Sequence, residues 1–341
     1  MNKKILVSGI KPTGDFHFGN YFGAMRQNIE LSNSGEYDSF VFLADYHALT
    51  TLHNFEDAQK LAEYTLRSAA AYIACGLDKN LLFKQSSVPE HAELSLIFSN
   101  LVTMPYMMRA HAFKDHEAKN KDVNVGLFTY PILMAADILI YGADVVPVGK
   151  DQKQHIEYAR DIAGYFNSAY SAYVGNTEIV EYLKLPKELI IDAVGTVPGV
   201  DGRKMSKSYL NQIDLFCEEE DLKKKIMSIV TDSATANDKK DPDVNNVFNI
   251  HKHFLNKDQV IELKNKFENG GYSYKDAKQD LLNTILDWRK DKKDIYDKLL
   301  QDRYALENIL EKNGERVREV AQKKIKEIRE IIGLDSNKSP H

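Results

Sequence analysis

The chain has 341 residues, 43% of them apolar, which is enough to bury a sizeable core and sets a prior of two domains. A net charge of −5 excludes an indiscriminate, basic nucleic-acid binder, so any RNA recognition has to be local. Two cysteines, Cys75 and Cys217, exclude a disulfide framework and a Cys-ligated zinc or iron–sulfur site, and point to a reduced, cytoplasmic setting.

Met1-Asn2-Lys3-Lys4 has the charge of a signal-peptide start, but the apolar run behind it ends at Lys11-Pro12, which argues against a leader. Ile5-Leu6-Val7-Ser8 reads as a buried first strand, giving way at Gly9 to a Gly/Pro-rich turn that opens a helix. In that turn Gly19 and Gly23 let a ligand approach the backbone, and His17 and Asn20 supply neutral donors. The spacing is neither a dinucleotide fingerprint nor a Walker loop. A second strand, Ser39 to Ala44, ends at Asp45, which either faces a ligand at the strand's carboxyl edge or caps the following loop.

A helix is predicted from its N-cap Asn54 to Gly76, with Phe55, Ala58, Ala62, Leu66, Ala69 and Ile73 on one face. Leu81-Leu82-Phe83 is a third strand and Val145 to Val148 a fourth. Between them, Pro89 to about Tyr141 is helical and forms an insertion between the halves of a parallel sheet. Its segment Leu133 to Ile140 is strongly apolar except for Asp137, and Met134, one turn earlier, shares that face. A carboxylate there is costly to bury unpaired, so either a ligand donor or a structural partner satisfies it. The most apolar stretch, Leu127 to Val148, is interrupted by Pro131, Asp137, Asp144 and Pro147, so no membrane span is expected.

Lys204-Met205-Ser206-Lys207-Ser208, beside Gly199 and Gly202, puts two ammonium groups and two hydroxyls on one short stretch. That is either a solvated basic turn or a mobile clamp closing on a departing pyrophosphate. From about Asp214 the strand pattern is lost. A polar linker, Thr231 to Asn246, leads into helical patterns around Leu281–Trp288, Ile295–Leu310 and Val317–Ile332. The C-terminal helix interleaves Lys312, Arg316, Arg318, Lys323, Lys324, Lys326 and Arg329 with glutamates, either as a local RNA-binding surface or, for most of these residues, as a solvated, ion-paired face. Residues 335–341 read as a disordered tail. Phe18, Phe22 and Tyr46 are assigned to core packing, and Trp288 carries no functional signal.

His17-Phe18-Gly19-Asn20 and Lys204-Met205-Ser206-Lys207-Ser208, in this order and wide separation, resemble the paired signatures of class I aminoacyl-tRNA synthetases. Asp45 to Thr50, Tyr130 to Tyr141 and Pro147 to His155 narrow the resemblance to the tryptophanyl-tRNA synthetases, over nearly the whole chain. The resemblance implies an α/β fold: a Rossmann-like parallel-sheet nucleotide-binding domain over residues 1–213, then an all-helical tRNA-binding domain over 214–334. The helical insertion, about 89–141, would carry a homodimer interface.

The activity so implied is ATP-dependent ligation of L-tryptophan to tRNA(Trp) through an aminoacyl-adenylate, with Mg²⁺ bridging the phosphates and no dedicated protein metal site. By the same resemblance Lys204, Ser206, Lys207 and Ser208 bind phosphates, while His17, Gly19, Asn20 and Gly23 hold phosphates and adenosine. Lys204, Lys207, His17 and Asn20 are then the catalytic set, Met205 packs against adenine, and Gly149 and Asp151 contact the ribose. Asp137 would accept the indole N–H, Met134 pack on the rings, Tyr130 and Val7 form walls, and Gln152 face the amino or carboxylate end. His47 either lines that pocket or is structural.

Two departures from the commonest bacterial pattern stand out. Lys11 replaces a glutamine and is either a phosphate contact or a solvated turn lysine; His116 replaces a lysine, which leaves the role of Lys114 open. The rival reading is the tyrosine-specific sister family, disfavoured by the apolar Met134-Ala135-Ala136 before Asp137. Two others are a tRNA-independent nucleotidyltransferase, against which the helical C-terminal region weighs, and a non-catalytic paralogue, against which intact His17, Asn20, Lys204 and Lys207 weigh.

Overall fold

A computed structural model describes residues 3–109, 124–149, 152–173, 179–190 and 196–335; Lys114, His116, Asp151 and the tail from 336 onward lie outside these. Strands β1 (Lys4–Ile10), β2 (Tyr37–Leu43), β3 (Leu82–Lys84), β4 (Val145–Val148) and β5 (Lys187–Ile190) form one sheet, in the order β3-β2-β1-β4-β5. All four pairings are parallel. A central parallel strand is covered on both faces and needs apolar residues on each, and in β1 Leu6, Val7 and Ile10 are all buried. β5 was not expected from sequence. Lys-Glu-Leu-Ile at the sheet edge stays half-exposed and lacks the apolar run that marks the inner strands.

After β1 the chain enters one helical run made of α1 (Phe18–Asn20), a wider π segment (Tyr21–Met25) and α2 (Arg26–Asn33). Short α3 (Asp45–Ala48) follows β2, and α4 (Phe55–Ala74) leads to β3. The caps read for α4 hold: the Asp57 carboxylate accepts the Asn54 N–H at 3.4 Å, and Gly76 ends the helix at φ +107°. Of the face read as apolar, Leu66 and Ala69 are buried while Phe55, Ala58 and Ala62 are exposed, because the first turns project past the core. The expected insertion comprises α5 (Glu90–Ser99), α6 (Met104–Met107) and α7 (Val125–Leu139), and α8 (Lys153–Tyr173) packs on α7 after β4.

Beyond β5 come α9 (Glu219–Met227), α10 (Asn246–His251), α11 (Lys257–Asn269), α12 (Tyr274–Gln301) and α13 (Arg303–Ile331). These helices share the sheet's core. Leu281, Ile285, Leu306 and Leu310 pack in one apolar cluster with Phe18 and Leu66, and Val317, Ala321, Ile325 and Ile328 in a second with Val7, Phe42 and Ala135. Trp288, silent in the sequence, sits edge-on to Phe18 and Tyr21 at centroid distances of 5.4 and 4.8 Å, tying α12 to the helix that opens after β1. Two of the basic residues read as a solvated face instead pin α13 to α5, through Arg318–Glu90 and Arg329–Glu93 contacts of 2.8 Å each.

Candidate active site

The strand order reverses between β1 and β4, and beyond the carboxyl ends of strands at such a reversal an open α/β sheet leaves a crevice. A cavity of about 470 Å³ lies there. Val7, Gly9 and Lys11 line it from β1 and the turn after it, Phe42 and Ala44 from the end of β2, and Val146 to Gly149 from the end of β4. Tyr130, Met134 and Asp137 enter from α7, with His47 and Gln152 completing the wall. All six residues expected to bind an amino-acid side chain, Val7, His47, Tyr130, Met134, Asp137 and Gln152, thus meet in one cavity, together with Lys11 and Gly149.

Asp137 is 1% exposed and is not the lone carboxylate that its apolar helix suggests. Its Oδ1 accepts from Gln85 Nε2 at 2.7 Å and from His91 Nδ1 at 2.5 Å, while Oδ2 accepts from His47 Nε2 at 2.8 Å. Burial alone would push its acidity down, but the imidazoles of His91 and His47 overcome that and hold the carboxyl well below the usual range. His47 therefore has both roles left open by the sequence: it lines the cavity and bonds to Asp137. Gln85 and His91 were missed. They lie 52 and 46 residues from Asp137, and only the topology brings them together.

A second chain orients the opposite wall. Burial pushes the Tyr130 phenol up to about 12, so it stays a donor, and it bonds to His155 Nε2 at 2.5 Å. His155 Nδ1 in turn bonds to Gln152 Oε1 at 2.7 Å. Lys11, though exposed, turns its Nζ to Thr50 Oγ1, donating at 3.0 Å across the mouth, and partial burial lowers its pKa. Asp45 takes the capping alternative: its carboxylate accepts from the N–H groups of Tyr46 at 3.1 Å and Ser86 at 3.0 Å, and from the Ser86 hydroxyl at 2.5 Å.

The two signature segments meet beside the same end of β1. His17 caps α1, its Nδ1 accepting the Asn20 N–H at 3.3 Å while Asn20 Oδ1 accepts the His17 N–H at 3.1 Å. Burial, then the Lys207 charge, lowers the His17 pKa to about 4, so the ring is neutral and its proton sits on Nε2. Gly19 is required by packing: a Cβ would come within 2.9 Å of the His17 ring. Its N–H points to Met205 Sδ at 3.3 Å. Met205, expected to face a base, is 3% exposed and packs into the first core cluster, because its thioether fills the gap between the two segments.

Lys207 reaches across to donate to the Thr13 carbonyl at 3.1 Å, and burial, against the charges of Asp15 and Asp214, lowers its pKa. Lys204 and Ser208 are exposed and Ser206 half-exposed, its hydroxyl accepting from Ser208 N–H at 3.3 Å. Asn211 braces the loop, accepting from Ser206 N–H at 2.8 Å and donating to Asp201 at 2.7 Å. Gly23 faces open space. Asp151, the other expected ribose contact, lies outside the described residues.

A family model described as tRNA synthetases class I (W and Y) matches residues 1–287. The tryptophan–tRNA ligase of Fusobacterium nucleatum is 46% identical over 333 residues, 97% of this chain and 98% of that protein. That of Campylobacter jejuni is 41% identical over 331 residues, 96% of this chain and 99% of its own. Among solved structures, the Campylobacter jejuni tryptophanyl-tRNA synthetase complexed with ADP and tryptophan superimposes with a TM-score of 0.88 at 40% identity, covering 96% of this chain and 99% of that one. The Mycoplasma pneumoniae tryptophanyl-tRNA synthetase gives 0.74 at 28% identity, covering 98% of each chain.

Proposed function

Because the chain belongs to the class I tRNA synthetases of tryptophan and tyrosine, we infer that it is an ATP-dependent tryptophan–tRNA ligase. One observation carries the choice of amino acid: an apolar cavity ends on a buried, ionised Asp137 that already accepts from three donors. Indole N–H is donor-only and suits the one acceptor position left on such a carboxylate. A tyrosine hydroxyl also accepts, and the donors around Asp137 are directed at the carboxylate itself.

The substrate carboxylate attacks the α-phosphorus of ATP and pyrophosphate departs, so the site must align two anions and neutralise growing charge. Lys204 and Lys207 supply that charge from the second segment, with Ser206 and Ser208 as further donors. His17, neutral and protonated on Nε2, donates from the first segment without adding charge, beside Asn20 and Gly23, where no side chain fills the space. Lys11 reaches the cavity mouth and is assigned to the phosphates, Gly149 and Asp151 to the ribose. In the second step a terminal ribose hydroxyl of tRNA(Trp) attacks the adenylate carbonyl and AMP leaves.

Magnesium would be held by phosphate oxygens and water rather than by a dedicated protein site. We assign activation to residues 1–213 and tRNA contacts to 214–334. A homodimer is supported by apolar residues left exposed on the insertion, Leu96 at 68%, Met104 at 63% and Val125 at 76%. Two free cysteines and a tRNA substrate support the cytoplasm as its location, and among the described residues no helix is long and apolar enough to cross a membrane. Aminoacylation of a tRNA(Trp) transcript tests the whole reading: tryptophan should be esterified and tyrosine should not.

A further inference from the structure

We propose that His91, Gln85 and Tyr141 are positioning residues for the specificity carboxylate: they fill one oxygen of Asp137 and leave the other, with one lone pair, turned to the cavity. The inference rests on the reading of Asp137 as the indole acceptor. None of the three lines the cavity, and His91 and Gln85 are 0% exposed.

The direction of each bond follows from donor chemistry. A carboxylate only accepts, so the His91 proton must lie on Nδ1, 2.5 Å from Asp137 Oδ1. In the neutral ring His91 Nε2 is then a bare acceptor, and the Tyr141 hydroxyl at 2.6 Å donates to it. Tyr141 thereby fixes the imidazole tautomer. It is itself held in place, 3% exposed and stacked on Phe40 at 4.6 Å.

Gln85 Nε2 reaches the same Oδ1 at 2.7 Å, so both lone pairs of that oxygen are used. Among the described residues Oδ2 takes one bond, from His47, leaving one acceptor site. Deleting the His91 donor would leave Oδ1 held by Gln85 alone, loosen the carboxylate, and present the ligand with its acceptor at a less fixed angle. Side-chain discrimination then depends on residues buried behind the pocket as well as on its walls.

The test is tryptophan binding, measured by equilibrium dialysis of radiolabelled tryptophan with the full chain, beside ATP binding to the same variants. His91→Leu should raise the tryptophan Kd about tenfold to a hundredfold, the range of a lost charge-assisted bond, with ATP binding within about twofold. His91→Asn, whose amide nitrogen lies near the position of Nδ1, should recover most of the loss. Adding His91→Leu to Asp137→Asn should cost nothing further, since the group being positioned is already altered. Unchanged tryptophan affinity in His91→Leu, or losses that add in the double variant, would overturn the proposal while Asp137→Asn still binds poorly. Wild-type affinity in Asp137→Asn would overturn the indole-anchor reading instead, and the proposal with it. Should His91→Leu not fold, Tyr141→Phe carries the test: a Kd raised about threefold or more is expected for one lost neutral bond, and an unchanged Kd refutes the role.

Discussion

Gly314 lies mid-way along α13, where helix propensity alone makes Gly→Ala stabilising by about 1 kcal/mol. The packing predicts the opposite sign. A Cβ on Gly314 would lie 2.5 Å from Ser87 Cβ and 3.1 Å from its hydroxyl, so α13 and the turn after β3 would have to separate. Separation is resisted on the same turn of helix, where Asn313 donates to the carbonyls of Lys79 and Leu82 at 2.7 and 2.8 Å. Overpacking of this kind costs about 1–3 kcal/mol and straining the two hydrogen bonds about 2 more, so after the propensity gain Gly314→Ala should be net destabilising by about 2–4 kcal/mol. The displaced segment also holds Gln85 and Ser86, the partners of Asp137 and Asp45. Tryptophan affinity should therefore fall while ATP affinity holds. Thermal melts and tryptophan binding of Gly314→Ala, Ser87→Gly and the double variant measure both effects, and the double variant should regain stability. A single variant melting at or above the wild-type temperature would refute the steric argument.

Lys207→Ala should raise the barrier to adenylate formation by about 2–4 kcal/mol and leave tryptophan binding intact; near wild-type pyrophosphate exchange would remove the lysine from that role. Truncation at Glu311 deletes buried Val317, Ala321, Ile325 and Ile328, and losing the three larger side chains alone forfeits about 5–9 kcal/mol of burial, comparable with a whole domain's stability. Both reaction steps should disappear with cooperative folding, as followed by circular dichroism, and a truncated chain that melts like the full one would contradict this. His17, His251 and His253 are each lowered from 6.5 to about 4, first by burial. The unfolded chain binds those protons at higher pH than the folded one, so stability is present above about 6.5 and is lost as pH falls toward 4. A melting temperature flat between pH 7 and 5 would contradict it.

The first four strands, α4 with both its caps, and the six residues that meet in the cavity were legible because each rests on local pattern: apolar runs, capping residues, or a motif of contiguous residues. What was not legible depends on pairing across long separations. Asp137 looked lone because Gln85 and His91 reach it from a turn and a helix that no periodicity connects to α7. β5 lacked an apolar run because an edge strand needs none. The role of α13 was hidden by its charges: Val317, Ala321, Ile325 and Ile328 form a stripe at helical spacing, but the six basic and acidic residues interleaved with it read as solvent-facing. Met205 was assigned from its motif alone, and sequence cannot tell a thioether over a ligand from one plugged into the core.

The central claim is that a cavity ending on an ionised, three-partnered Asp137 selects indole, and amino-acid-dependent exchange of pyrophosphate into ATP tests it most directly. Each of the twenty amino acids is supplied in turn to the purified chain with ATP and magnesium, without tRNA. Exchange should occur with tryptophan and fall to background with tyrosine and phenylalanine. Exchange driven by tyrosine as well as by tryptophan, or by neither, would contradict the account.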